Sequence, residues 1–474
     1  MTSADLIWAI IKIVLMFGFL INVGGLLTWV DRRQGAMIQD RVGPNRAVIK
    51  IGKFELRIAG LLHTAADGVK FFFKEDFVPP KADKLLFAIA PILSMAPVLA
   101  LCAVIPMGDT VCPQFLSPLA EPDGLFDWMR KLPVVPRYGV CPSMTMELKN
   151  AAGVVRTVAP VEMAVAPLNV GILYVFAMAG QGIIGAAIAG WASDNKFSLM
   201  GALRAASQMV SYEVAMGLSL IGAMMIYGTV RLDDMVRWQS ENAWGVFVQP
   251  VAFVLFFVAA VAEQKRIPFD LPEAESELVS GYFTEYSGMK FGMFYFAEYM
   301  EVVTSSMLLV TIFLGGWALP FFHRDGFTLA FGGDTLLRLP ISHLAMTGIG
   351  IVAFFGKTLI VCWFQAVVRW SLPRFRYDQL MKLGWRVLLP AALANVMVTG
   401  VLYLAIDQAG ANVHDGFKLA GEVTQAVVAG LLTAMVVALV VLFVQPKRRE
   451  RLVIGSSAKL AAALGGTQSS AMQA

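Results

Sequence analysis

Carboxylates set among hydrophobic residues are the part of this sequence best equipped for chemistry. The stretch Glu263-Gln264-Lys265-Arg266-Ile267-Pro268-Phe269-Asp270-Leu271-Pro272-Glu273-Ala274-Glu275-Ser276-Glu277 carries five of them, and Glu285, Glu298 and Glu301 follow. Glu273 with Glu277, and Glu298 with Glu301, are spaced to share a helix face. The plainest reading is a solvated acidic loop whose charges favour a helix N-terminus. Here, however, the acids are mixed with Phe269, Leu271, Leu278, Val279, Tyr282, Phe283 and Tyr286, so the loop is expected to fold back onto apolar surface. Carboxylates crowded in a low dielectric raise one another's proton affinity toward neutrality, where they can exchange protons. That is the equipment of a proton relay.

Glu213, in Ser211-Tyr212-Glu213 at the expected start of an apolar span, has two readings. An acid in the first turn of a helix is favoured by the dipole alone, or it is a further member of the relay. Lys12 lies near the end of its span and can snorkel, whereas Lys357 falls near mid-span and needs a partner carboxylate or water. Four cysteines (Cys102, Cys112, Cys141, Cys362) and four histidines (His63, His323, His343, His414) are scattered without CxxC or HxxxH spacing. No metal, haem or iron-sulfur site is therefore expected, and any redox cofactor lies elsewhere or is diffusible.

The elements that position these residues follow from composition. Of 474 residues 57% are hydrophobic and 15% charged, against about 25% charged in soluble domains, and the mean hydropathy is +0.67. A soluble fold and intrinsic disorder are both excluded. The net charge of +4 is too small and dispersed for a nucleic-acid partner. Apolar runs able to cross about 30 Å of hydrocarbon fall at roughly 6–30, 85–107, 167–190, 210–229, 246–263, 302–322, 344–368, 387–406 and 421–445. The expected fold is all-α, a polytopic bundle of about nine transmembrane helices in contact with lipid. The first run lacks a basic leader and a small-residue cleavage site, and it reads as a retained anchor.

Lys and Arg in alternate connections number 26 on one side and 10 on the other, which places the N-terminus outside and the C-terminus in the cytoplasm. Between Ile58 and Phe73 apolar residues recur at helical spacing with Asp67, Lys70 and Lys74 opposite, the pattern of an amphipathic helix at the inner interface. The outer loop 108–166 is Pro-rich and carries Cys112 and Cys141, a candidate disulfide if that side is oxidising. Gly180-Gln181-Gly182-Ile183-Ile184-Gly185 matches GxGxxG but lies inside a hydrophobic span with no strand before it. Gly182, Ala186 and Gly190 instead repeat every four residues, as at close helix contacts in membranes.

Several segments, in order, resemble those of the H subunit of proton-pumping NADH-quinone oxidoreductase, respiratory complex I, a family that includes mitochondrial chain 1. They are Gln39-Asp40-Arg41-Val42-Gly43-Pro44-Asn45-Arg46, Ala66-Asp67-Gly68-Val69-Lys70, Gly201-Ala202-Leu203-Arg204-Ala205, Ser211-Tyr212-Glu213, Arg266-Ile267-Pro268-Phe269-Asp270-Leu271, Glu273-Ala274-Glu275-Ser276-Glu277-Leu278-Val279-Ser280-Gly281 and Pro373-Arg374-Phe375-Arg376-Tyr377-Asp378-Gln379-Leu380. The resemblance covers roughly residues 6 to 406. It implies a helical membrane subunit, usually of eight spans, between the membrane arm and the peripheral redox arm of a bacterial cytoplasmic membrane complex or its mitochondrial inner-membrane equivalent. By motif position it implies a quinone chamber and entrance involving Arg32, Arg41, Asp67, Arg266, Asp270, Glu273, Glu275, Glu277 and Arg374. An intramembrane proton path would involve Glu213, Glu263 and Glu298. Quinone is then the substrate, with nothing bound covalently. FMN and iron-sulfur clusters are expected in partner subunits of the peripheral arm.

The sequence departs from the family pattern at Asp31, where Glu is frequent, in the length of loop 108–166, and in the ninth span. Residues 1–406 are accordingly read as the family's membrane domain, 407–445 as an additional span, and 446–474 as a basic tail. Two other functions fit less well. One is the related membrane subunit of a membrane-bound hydrogenase, against which the Arg266 and Arg374 motifs stand. The other is a stand-alone cation channel or antiporter, for which no inverted repeat is visible.

Overall fold

A computed structural model gives the architecture. It describes residues 3–51, 54–56, 58–111, 144–146, 156–158, 161–273, 279–324, 326–331, 334–408, 420–434 and 437. Helix α1 is Ser3–Ile38, α2 Leu62–Phe73, α3 Lys84–Cys102, α4 Gly171–Ala192, α5 Lys196–Tyr227, α6 Leu232–Glu241, α7 Gly245–Val248 and α8 Pro250–Glu263. They are followed by α9 Gly288–Phe313, α10 His343–Ser371, α11 Tyr377–Asp407, which contains a π-helical turn at Leu383–Leu388, and α12 Ala420–Ala434. Among the described residues seven helices are long and apolar enough to cross a membrane, and α8 and α12 are shorter apolar helices. The chain is an all-α multi-pass membrane protein. Short antiparallel strands decorate its connections: β1 Ile49–Ile51 with β2 Phe54–Leu56, β3 Met144–Met146 with β4 Arg156–Val158, and a three-stranded sheet of β5 Phe322–His323, β6 Gly326–Phe331 and β7 Asp334–Pro340.

Helix starts are set by side-chain caps that satisfy orphan amides. Asp83 accepts from the amides of Leu85 and Leu86 ahead of α3, and Asn195 accepts from Phe197 ahead of α5. Small residues bring α3, α4 and α5 together: a Cβ on Gly185 would lie 2.5 Å from Ser94 Oγ, and one on Gly190 would lie 2.2 Å from Ala202 Cβ. The glycines of the GxGxxG match are thus helix-contact residues in the middle of α4. Helix α9 runs through the centre of the bundle against α1, α3 and α10, with almost every residue from Ala297 to Phe313 buried.

Several spans are longer than hydropathy indicates, and in two of them the difference bears on the acids. Helix α5 starts at Lys196 rather than near 210, and α9 at Gly288 rather than near 302. Their first turns carry Lys196, Arg204, Lys290 and Glu298, which depress the hydropathy, while Ser198, Ala202, Ala205 and Phe294 are buried against protein. Glu213 consequently sits in the middle of α5. The helix-cap reading is overturned, because that helix is capped by Asn195, eighteen residues earlier.

Backbone oxygens, rather than a carboxylate, receive Lys357. Its ammonium donates to the carbonyl oxygens of Leu314 (2.8 Å), Gly316 (3.0 Å) and Ala318 (2.7 Å), which follow the end of α9, and it lies 4.3 Å from the Trp244 ring. Lys12 similarly donates to the carbonyls of Glu162 and Ala164. The amphipathic segment forms α2, with no residue buried and with Val69, Phe72 and Phe73 exposed. Cys112, Cys141 and the tail 446–474 lie outside the described residues. The described residues beyond Gln425 belong to a second unit, in which Thr433 Oγ1 donates to the carbonyls of Ala429 and Gly430.

Candidate functional site

The end of α8 and the start of α9 converge with the ends of α1 and α10 and the start of α11. Gln208 of α5 holds the intervening loop by donating from Nε2 to the carbonyls of Ala262 and Phe269, both at 2.8 Å. Phe269 stacks on Phe375, ring centroids 5.5 Å apart, and the Phe375 amide donates to the Pro268 carbonyl at 3.1 Å. Residues 262–269 of the loop are thereby held against α5 and the segment leading into α11, and the charged residues around it fall into two groups.

The first group is organised by Asp31 at the end of α1. Its Oδ2 accepts from Arg369 of α10 and from the Tyr299 hydroxyl at 2.9 Å, and Arg266 Nη1 lies 3.4 Å away. The Arg266 guanidinium lies over the Tyr299 ring, 3.7 Å from its centroid. Its place in the sequence suggests a pairing with Asp270 or a nearby glutamate. It reaches Asp31 instead, and Asp270 accepts from Arg374 Nη2 at 2.9 Å. Arg32 pairs with Asp67 of α2 at 2.6 Å, both half exposed. Arg41 is exposed and donates to Gln39.

The second group leads inward. Glu273 is hydrogen-bonded to Glu298 of α9, and burial, then the neighbouring Glu298 charge, push its carboxyl well above the ordinary range. The Tyr282 hydroxyl donates to Glu298 Oε1 at 3.3 Å. Lys265, 5% exposed, lies 3.6 Å from Glu301 Oε1. Burial opposes its charge, but Glu301, Glu298, Glu273 and Glu263 around it hold its ammonium above the ordinary lysine value. Glu263 and Glu301 line an otherwise largely apolar cavity with Gln264, Thr304 and Ser305, and Gln264 Nε2 donates to Ser305 Oγ. Glu213 lies further along, its Oε1 3.3 Å from where a Cβ on Gly180 would stand.

The residues expected at the site are therefore brought together in part. Asp270, Glu273 and Arg374 meet at the loop, Glu263 and Glu298 extend the acids into the bundle, and Arg32 with Asp67 forms a separate pair toward α2. Glu275 and Glu277 lie outside the described residues. Sequence reasoning grouped Glu301 with the relay acids but gave it no place in the site, and it did not place Arg369, Tyr299, Lys265 or Gln208 there. A cation at the end of a span, as Arg369 is, and two more charges beside known acids, as Lys265 and Glu301 are, carried a signal that could have been used. Nothing local marks Gln208, whose role comes from tertiary contact.

A family model described as NADH dehydrogenase matches residues 11–129 and 136–400. The chain is 40% identical over 407 residues to the NADH-quinone oxidoreductase H subunit of Flavobacterium psychrophilum, covering 85% of this chain and 99% of the relative. It is 39% identical over 391 residues to the first of the numbered H subunits of the same enzyme in Geobacter sulfurreducens, covering 82% and 93%. With the Thermomicrobium roseum H subunit it shares 38% over 398 residues, covering 82% and 94%.

Proposed function

The chain belongs to the family of NADH-quinone oxidoreductase H subunits, as a membrane component of an oxidoreductase complex, and from that premise we propose that it helps form a quinone chamber and couples quinone reduction to proton pumping. The observation that carries this reading is the series of acids from the loop into the bundle: Asp270, Glu273, Glu298 and Glu263, with Glu213 beyond and Glu301 paired to Lys265 among them. Burying ionisable groups within membrane helices is costly and usually serves a pathway for ions or protons.

Quinone reduction takes two electrons and two protons and yields a quinol. In this reading the electrons come from NADH through FMN and iron-sulfur clusters of peripheral-arm subunits, which dock on the loop end of the bundle. Arg32, Arg41, Asp67, Arg266, Asp270, Glu273, Glu275, Glu277 and Arg374 contribute to the chamber and its entrance. Arg374 steadies Asp270 beside the incoming quinone, and Asp31 with Arg369 steadies Arg266. Protonation changes at Asp270 and Glu273 alter the field felt by Glu298, to which Glu273 is hydrogen-bonded. Glu263 and Glu213 then carry protonation changes toward partner membrane subunits. The charge bias of the connections supports an N-terminus outside and this loop end in the cytoplasm of a bacterial inner membrane.

The test is Glu298→Gln, which keeps shape and hydrogen bonding but cannot carry a proton. Assembled complex in membrane vesicles should lose quinone-linked NADH oxidation and acidification together while retaining NADH oxidation by an artificial acceptor. Wild-type pumping in this variant would remove Glu298 from the path and the reading with it.

A further inference from the structure

Lys265 occupies an unusual place. It stands one residue past the C-cap Gln264 of α8 with φ +57°, a left-handed conformation that costs a residue bearing a Cβ roughly 1–2 kcal/mol and that helix ends usually assign to Gly or Asn. A fold needing only a turn there has no use for a lysine. Its side chain is nevertheless directed inward, 5% exposed, with Nζ 3.6 Å from Glu301 and 5.9 Å from the Tyr282 ring centroid. Glu263, Glu273 and Glu298 also face it. Arg266 also acts on Glu301, Glu213 on Glu263, and Asp270 on Glu273. Glu301 Oε2 is buried without a hydrogen-bond partner among the described residues.

We propose that Lys265 and Glu301 form a fixed counter-ion pair within the acid series, and that this pair sets how many protons the remaining carboxylates hold at rest. This inference rests on the proton-path reading above. Both are positioning residues: they act through Glu263, Glu273 and Glu298 rather than on quinone. Backbone strain is tolerated where the surrounding structure and its function require the conformation, and an ammonium amid carboxylates is the function that this strain serves. Glu301 balances the ammonium, so that the series gains a buried cation without a net change in charge.

The experiment measures the pH profile of NADH:quinone turnover in assembled complex, normalised to NADH oxidation by an artificial acceptor. Lys265→Gln removes the cation, makes the acids easier to protonate, and should shift the profile upward by about one pH unit or more. Glu301→Gln leaves the ammonium unbalanced and should shift it downward by about as much. The double variant should lie closer to wild type than either single one. Shifts in the same direction, no shift, or a double variant no nearer wild type would overturn the proposal. If one single variant fails to assemble, the direction of the other decides. If both fail, assembly of the double variant supports charge balance, and its failure marks a packing role and overturns the inference. Glu298→Gln is run alongside: if it keeps full turnover the proton-path reading fails, whereas if it stalls while the pair variants do not shift, the pair alone is wrong.

Discussion

Glu273 in the loop is hydrogen-bonded through its carboxyl to Glu298 on α9, where the loop meets the membrane bundle. Because burial and Glu298 push the Glu273 carboxyl well above the ordinary range, its proton stays on at pH values where an exposed glutamate has lost it. For a carboxyl raised in this way, the folded state is favoured at low pH and loses that advantage as pH rises from the unfolded value through the folded one. Infrared spectra of the assembled complex should show a protonated carboxyl signal at neutral pH that is absent in Glu273→Gln and fades as the wild type is made alkaline. An unchanged spectrum in the variant would show that Glu273 is ionised.

Mid-helix placement of Glu213 sharpens the consequence of replacing it. With no cap to lose, Glu213→Gln should assemble normally and lose most quinone-linked turnover and pumping together, while Glu213→Asp keeps part of both. Gly180→Ala puts a methyl 3.3 Å from Glu213 Oε1 and should lower turnover partially without touching a charge. Vesicle acidification and NADH:quinone rates, per assembled complex, report both.

Arg266 lies over Tyr299 and reaches Asp31. A lysine reproduces the charge but neither the planar stacking nor the fork, and the lost cation–aromatic contact is worth about 0.5–2 kcal/mol. Arg266→Lys should lower quinone reduction roughly 2- to 30-fold on that energy scale, while NADH oxidation by an artificial acceptor survives. Equal loss of both activities would instead indicate failed assembly.

Lys357→Met is expected to act on stability. Three carbonyl oxygens would lose their donor, and each buried polar group left unsatisfied costs about 1–3 kcal/mol. The melting temperature of the purified complex should fall by several degrees, with the specific turnover of what remains folded unchanged. Lys357 contacts none of the acids proposed for the path, so a selective loss of turnover at wild-type stability would refute the structural role.

Orientation is open to labelling. Ser193 is buried, and its hydroxyl donates to Ala189, so the exposed neighbour Lys196 is the better place for a single cysteine. In a background lacking native cysteines, Lys196→Cys should react with an impermeant maleimide only after the cytoplasmic face is opened. Reaction in intact cells would invert the topology.

Hydropathy located the spans but stopped short where charged residues enter a helix, which is why α5 and α9 begin earlier than their apolar runs. The acids of the candidate site were legible because carboxylates beside Phe269, Leu271 and Tyr282 are costly anywhere but in a built environment. Their partners were not. Arg266 reaches Asp31 across 235 positions, and Asp270 reaches Arg374 across 104, distances over which residue spacing says nothing. The resemblance to a family supplied the quinone, which no residue type in the chain announces by itself.

Gln208, which ties down the loop, and Glu213 stand on the same continuous helix, five residues and about 7.5 Å of axial rise apart. An α-helix is stiff over so short a length. A strain that lifts the loop by its Phe269 carbonyl must therefore drag on the rod that bears Glu213, and the inner acid can feel displacement of the loop mechanically as well as through its charge.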